Sequence, residues 1–216
     1  MIQLPNYRQG DAQWGSKIMS PSNLDMANYG CFVTSLSMMI ANYAINKNPG
    51  EVCDALIKVN GFDQWGMLQH DAIGKAFPGV YFKERVYTTD DPRTNLQRVN
   101  VDVARARIKR LLSLGQPVLL TVDAQQNDKI ADHAIVAIDT AGADDFVILD
   151  PWYGEKTLYS KRYVNLYGYL AYLGSPINFP DFWGEPKIGQ AVYKLIQAKK
   201  GVNKDMNISE ALDVLL

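Results

Sequence analysis

The chain has 216 residues, 47% of them hydrophobic, a formal net charge of −1, and only two cysteines and two histidines. Acids and bases are mixed along it, which excludes the basic footprint of a nucleic-acid binder and a polybasic membrane anchor, and two cysteines cannot build a disulfide framework. No apolar run is long enough to insert in a membrane, and MIQLPNYRQGD lacks the basic start and apolar stretch of a secretory signal, so a soluble chain with one main domain is expected.

Up to Gly30 the chain carries turn formers and aromatics (Pro5, Asn6, Gly10, Trp14, Gly15, Pro21) without periodicity, an extended approach to the first helix. From Cys31 to Tyr43, the residues Val33, Leu36, Ile40 and Tyr43 recur at helical spacing and predict a buried amphipathic helix with Cys31 at its N-terminus. A second helix is predicted from Pro49 to Val59, with proline in its first turn and Gly61 beyond its end. A third is predicted over Trp65 to Phe77, then a strand over Tyr81 to Tyr87. In VDVARARIKRLLSLGQ the residues Val103, Ala106, Ile108, Leu111 and Leu112 form the apolar stripe of a further helix, capped by Gly115. PVLLTVD, HAIVAID and FVILD then read as three short, adjacent antiparallel strands.

The tyrosine-dense stretch from Pro151 to Gly174 predicts one or two more strands or a short helix. Helices followed by strands make an α+β fold, N-terminal helices packed on an antiparallel sheet. The expected domain is 1–175. Residues 176–216, with an amphipathic helix around Gln190 to Lys199, read as a C-terminal extension, linker or docking helix.

Cys31 follows a glycine and starts a hydrophobic helix, where unsatisfied backbone N–H groups and the helix dipole stabilise a thiolate. Cys53, in the middle of its predicted helix, reads as core packing. Of the two histidines, His70 lies in the polar stretch MLQHDAIG and is expected to face solvent, whereas His133 opens an apolar strand, a rigid mount for a base. Asp150 ends FVILD just before Pro151. Because His133 begins its strand and Asp150 ends its own, antiparallel pairing brings the two to one end, where a carboxylate can orient an imidazole. Each has an ordinary structural explanation taken singly; together they are more specific. Trp14, Trp65, Trp152 and Tyr153 either line a groove or, as is commoner beside turns, cap the core.

The stretch LPNYRQ, DAQW and YGCFVTSLSMMIANY, followed by PGEVCDAL, GQPVLLTVD, HAIVAI and VILDPWYG, resembles the bacteriocin-leader-peptidase-like (C39-like) branch of the papain-like cysteine peptidases over Leu4 to Gly154. The resemblance implies a papain-like fold, Cys31 as nucleophile, His133 as general base, Asp150 as its orienting carboxylate and Gln9 as an oxyanion donor. Gly30-Cys31-Phe32 departs from the Cys-Gly-Pro of many members, and Gln3 and Gln13 compete with Gln9. The long approach to Gly30-Cys31 resembles the wall-directed peptidases of bacteriophage lysins and bacterial surface enzymes. It implies an endolysin-like endopeptidase acting on peptidoglycan stem or cross-bridge peptides, delivered to the wall by holin-type or virion-based export. A protein or leader-peptide processor, an acyltransferase, and a non-catalytic structural module of a phage particle remain open. No Cys/His pair has zinc-site spacing and no loop follows the EF-hand pattern, so no metal or cofactor is expected.

Overall fold

Helical structure starts where Asp25 accepts a hydrogen bond from the Asn28 N–H at 2.9 Å and caps a four-residue helix, α1 (Met26–Tyr29). In a computed structural model of the chain, the structure describes residues 2–93, 95–124 and 133–174, all within one unit, Met1–Ile177. The sequence-based expectation of a C-terminal extension over 176–216 lies outside the described residues.

Gly30 separates α1 from α2 (Cys31–Ile40); a Cβ there would collide with the Met26 carbonyl, so the turn between them admits only glycine. The expected first helix continues to Tyr43, but past Ile40 it tightens into a 3₁₀ turn, Ala41–Tyr43, closed by left-handed Ala44. In α3 (Pro49–Lys58), Asn48 and Glu51 exchange reciprocal hydrogen bonds at 2.9 and 3.0 Å, a full capping box. The third helix, α4 (His70–Ala76), is shorter than the predicted Trp65 to Phe77. The Asp63 carboxylate accepts from the N–H groups of both Trp65 and Met67, and this side-chain turn competes with helix over the first residues.

The remaining elements are β1 (Tyr81–Thr88), β2 (Arg98–Val99), α5 (Val101–Ser113), β3 (Val118–Val122), β4 (His133–Ala141), β5 (Asp145–Asp150), β6 (Glu155–Leu158) and β7 (Leu166–Leu173). They form a seven-stranded sheet in the order β2-β1-β7-β3-β4-β5-β6. The fold is α+β and consistent with a papain-like architecture. The sheet is mixed rather than wholly antiparallel: the two-residue β2 runs parallel to β1, while every other pair is antiparallel.

Both faces of the sheet are covered, so β3 is buried at every residue. On one face Leu119, Ala134, Leu170 and Tyr172 pack with Val33, Leu36, Val52, Leu56 and Ile73 of the N-terminal helices. On the other, Val118, Leu120, Val122, Ile135 and Ile148 pack with Ala104, Ile108, Leu111 and Leu112 of α5. The buried stripe of α5 therefore includes Ala104, whereas Val103 and Ala106, both expected in it, are exposed. Positions 104, 108, 111 and 112 lie on one helical face, and Val103 lies outside it.

Gly168 lets β7 approach β1 closely, since a Cβ there would meet the Val86 carbonyl oxygen and lie 3.2 Å from Thr121 Oγ1. Gly168→Ala is expected to cost about 1–3 kcal/mol of stability through overpacking against backbone. A thermal melt of the variant against the parent chain checks it, an unchanged midpoint refuting the close-approach account.

Candidate active site

Cys31 occupies the first position of α2, half-buried, with its backbone N–H in the turn that has no intrahelical acceptor. Its helix lies across β4, and the Ser35 hydroxyl donates to the Ala134 carbonyl at 2.9 Å, a buried tie one residue from His133. The antiparallel register of β4 and β5, with Val136 opposite Leu149, brings the start of one beside the end of the other. There His133 Nε2 meets Asp150 Oδ1 at 3.0 Å. That leaves the second ring nitrogen, Nδ1, free of the carboxylate, and Cys31 is near enough to the ring to raise its affinity for a proton.

Asp150 is fully buried, and both its oxygens are doubly engaged. Oδ1 accepts from His133 and from the Trp152 N–H at 3.0 Å; Oδ2 accepts from Arg162 Nη1 at 2.8 Å and the Tyr163 hydroxyl at 2.7 Å. Arg162 in turn donates to Glu155 at 2.7 Å and lies 3.9 Å over the Tyr153 ring. Burial alone would raise the carboxyl, but the bonds to His133, Arg162 and Tyr163 outweigh it and hold Asp150 at about 2. Burial alone would likewise keep His133 neutral; Asp150 and Cys31 override it and push the ring up to about 9. Asp150 and Cys31 thus favour the protonated ring, which can serve as a proton donor.

Cys31, His133 and Tyr163 border a cleft of about 610 Å³ that is also lined by Gln9, Asn28, Phe32, His70, Arg85 and the exposed aromatics Trp65, Trp152 and Tyr153. Gln9 is buried; its Nε2 donates to the Ala27 carbonyl at 2.9 Å, its backbone N–H to the Pro151 carbonyl at 2.7 Å, and its Oε1 has no partner. One amide hydrogen of the side chain is engaged; the amide group carries a second.

Cys31, His133 and Gln9 thus line one cleft, with Asp150 behind His133. Cys53 lies apart in the core, its thiol pushed up to about 11, first by burial. Trp14 caps the core and donates its indole N–H to the Arg8 carbonyl, while the three other aromatics of the expected groove do line the cleft. His70, expected to face solvent, is half-buried against Phe82 in the cleft wall, because Phe82 and Tyr172 come from distant strands to receive it. Sequence reasoning also missed Arg162 and Tyr163. Their only sequence signal is a cation and a phenol twelve and thirteen residues after the strand-ending aspartate.

Among the described residues, no group of three or more His, Cys, Asp and Glu could hold a metal ion, and no helix is long and apolar enough to cross a membrane. The sequence model of the Peptidase_C39 like family matches residues 1–174. No curated protein matches the chain at a significant level.

His133 is held above its ordinary 6.5 in the folded chain, so the stability it contributes is complete below about pH 6.5 and is lost as pH rises through about 9. Asp150, held at about 2 against its ordinary 3.8, contributes above pH 3.8 and loses that contribution as pH falls through about 2. An NMR titration of the His133 ring is expected to give a midpoint near 9. In Asp150→Asn, with burial no longer opposed by the carboxylate, the midpoint is expected at or below the ordinary value; a midpoint that stays near 9 would refute the pairing.

Proposed function

The chain belongs to the Peptidase_C39 like family of cysteine peptidases, and on that premise we propose that it is an endopeptidase whose nucleophile, base and orienting carboxylate are Cys31, His133 and Asp150. The observation that carries this is the 3.0 Å hydrogen bond from His133 to the fully buried Asp150, with His133 and Cys31 lining the same open cleft.

In the proposed cycle the Cys31 thiolate attacks the scissile carbonyl, and the carbonyl oxygen becomes an oxyanion. The Cys31 N–H and the second amide hydrogen of Gln9 stabilise it. The tetrahedral intermediate collapses as the His133 imidazolium gives its proton to the departing amine, leaving a thioester on Cys31 and a neutral ring. Neutral His133 then takes a proton from water, whose oxygen attacks the thioester; the acid product leaves and the imidazolium is restored. Asp150 keeps the ring in one orientation throughout and stabilises its charge. Arg162 and Tyr163 act one step further back, by holding the carboxylate.

The proposed substrates are stem or cross-bridge peptides of peptidoglycan, cut in the manner of an endolysin after delivery to the wall. Two features support this: the resemblance of the long approach to Gly30-Cys31 to wall-directed lysins, and the solvent-facing platforms of Trp65, Trp152 and Tyr153 around the cleft, suited to bulky, partly apolar glycopeptide.

Purified cell walls incubated with the chain are expected to lose turbidity and release amines. Cys31→Ala is expected to abolish both and Cys53→Ala to retain them. Gln9→Ala should lower kcat by about 10²-fold or more, the usual effect of removing one oxyanion donor. Cleavage of unstructured protein substrates in place of walls, again lost in Cys31→Ala, would transfer the same chemistry to protein processing; equal activity in Cys31→Ala would overturn the nucleophile assignment.

A further inference from the structure

The cleft extends from Cys31 toward β1, and its wall there is built from residues that the proposed chemistry does not use. His70 stacks on Phe82 with ring centroids 4.8 Å apart and 11° between planes, and Phe32, next to the nucleophile, is 5.7 Å away. His70 Nδ1 lies 2.8 Å from the Tyr172 hydroxyl. Burial holds that phenol well above its ordinary range, so it keeps its proton, and in the tautomer with Nδ1 as acceptor the hydroxyl donates to it. Nε2–H is then the ring's remaining donor. Burial and, after it, the Arg85 charge push His70 down to about 4, so the ring is a neutral donor at working pH.

Arg85, on β1, lines the same cleft with its guanidinium 4.8 Å over the Tyr87 ring. Among the described residues no carboxylate pairs with it, and none of the cleft-lining residues is Asp or Glu. A cation without an acidic partner, beside a neutral N–H donor and an aromatic wall, is an arrangement complementary to an anion of planar, forked geometry. His133, the other positively charged group on the cleft, is already neutralised by Asp150 behind it. Arg85 is therefore the cation of this arm that no carboxylate among the described residues neutralises, while the Asp71 charge also acts on His70.

We infer that the arm bounded by His70 and Arg85 is a specificity subsite for a carboxylate of the peptide substrate, held by the Arg85 guanidinium and the His70 Nε2–H. It rests on the proposed peptidase function and names the feature of the substrate that the cleft selects. The carboxylate comes either from an acidic side chain or from a free chain terminus, since both present the same fork.

The test uses the full chain and a defined mixture of synthetic peptides, prepared once with free and once with amidated C-termini, the cleavage sites being read by mass spectrometry. Sites are expected to carry Asp or Glu at one fixed distance from the scissile bond; sites placed at a fixed distance from the C-terminus, and lost on amidation, would assign the terminus as the source. Arg85→Met should lower kcat/KM for these peptides about tenfold, mainly through KM, as loss of a charge-assisted hydrogen bond does. Lys83→Met, an exposed cation on the same strand outside the cleft, should not. Cleavage with neither an acidic-residue nor a free-terminus preference, or a preference that survives Arg85→Met, overturns the subsite.

A second measurement is independent of turnover: the rates at which Cys31 reacts with methanethiosulfonates bearing a sulfonate or a quaternary ammonium group. The anion-to-cation rate ratio should fall several-fold in Arg85→Met. An unchanged ratio overturns the subsite even in an active peptidase. A fall in a chain that cleaves no peptide upholds the subsite and removes the peptidase function instead.

Discussion

A carboxylate removed from water costs several kcal/mol unless its lone pairs are met by donors, and Asp150, fully buried, meets that condition four times. The requirement organises one whole end of the molecule. β5 must stop at Asp150 so that the Trp152 N–H can turn back onto it, and β6 and the 3₁₀ turn Tyr159–Lys161 must return so that Arg162 and Tyr163 reach its second oxygen. His133 is then held in one orientation, with Nε2 committed to the carboxylate and Cys31 near enough to act on the ring. The charged ring follows from this arrangement, since an imidazole as buried as His133 would otherwise be neutral.

The second constraint is the seat of α2 on the sheet. Its apolar stripe belongs to the core on one face of the sheet, and Ser35 ties it to the backbone of β4 immediately after His133. Nucleophile and base thus sit on two rigid elements joined by a buried hydrogen bond, so their separation does not depend on a loop. The N-terminal segment is attached to the same end: the Gln9 backbone to Pro151, the Gln9 side chain to Ala27 and Asn6 to Gly154. A polar segment that looks like an irregular leader in the sequence is in fact a wall of the cleft.

Much of the fold follows from local periodicity. The Cys31 helix, the Pro49 helix and the strands at 118, 133 and 145 stand close to where alternation and helical spacing put them, because these elements bury a face and the burial imposes the pattern. Departures occur where a local side chain or a distant partner wins. Asp63 diverts the start of the third helix through its own hydrogen bonds. In α5 the sheet covers the face of Ala104, Ile108, Leu111 and Leu112, and Val103 and Ala106 fall outside it. β2 is too short to carry a pattern, and exists by pairing with β1.

By itself the sequence determined the α+β class and the placement of Cys31 at a helix start, His133 at a strand start and Asp150 at a strand end, since each depends on residues within a few positions along the chain. Tertiary structure alone decided which histidine rings are buried and charged, that Arg162 and Tyr163 serve Asp150, and that His70 and Arg85 share a cleft with Cys31. The physical reason is distance along the chain: His70 reaches Tyr172 across 102 positions and Ser35 reaches Ala134 across 99, and pairings of that span are settled by the order and register of strands.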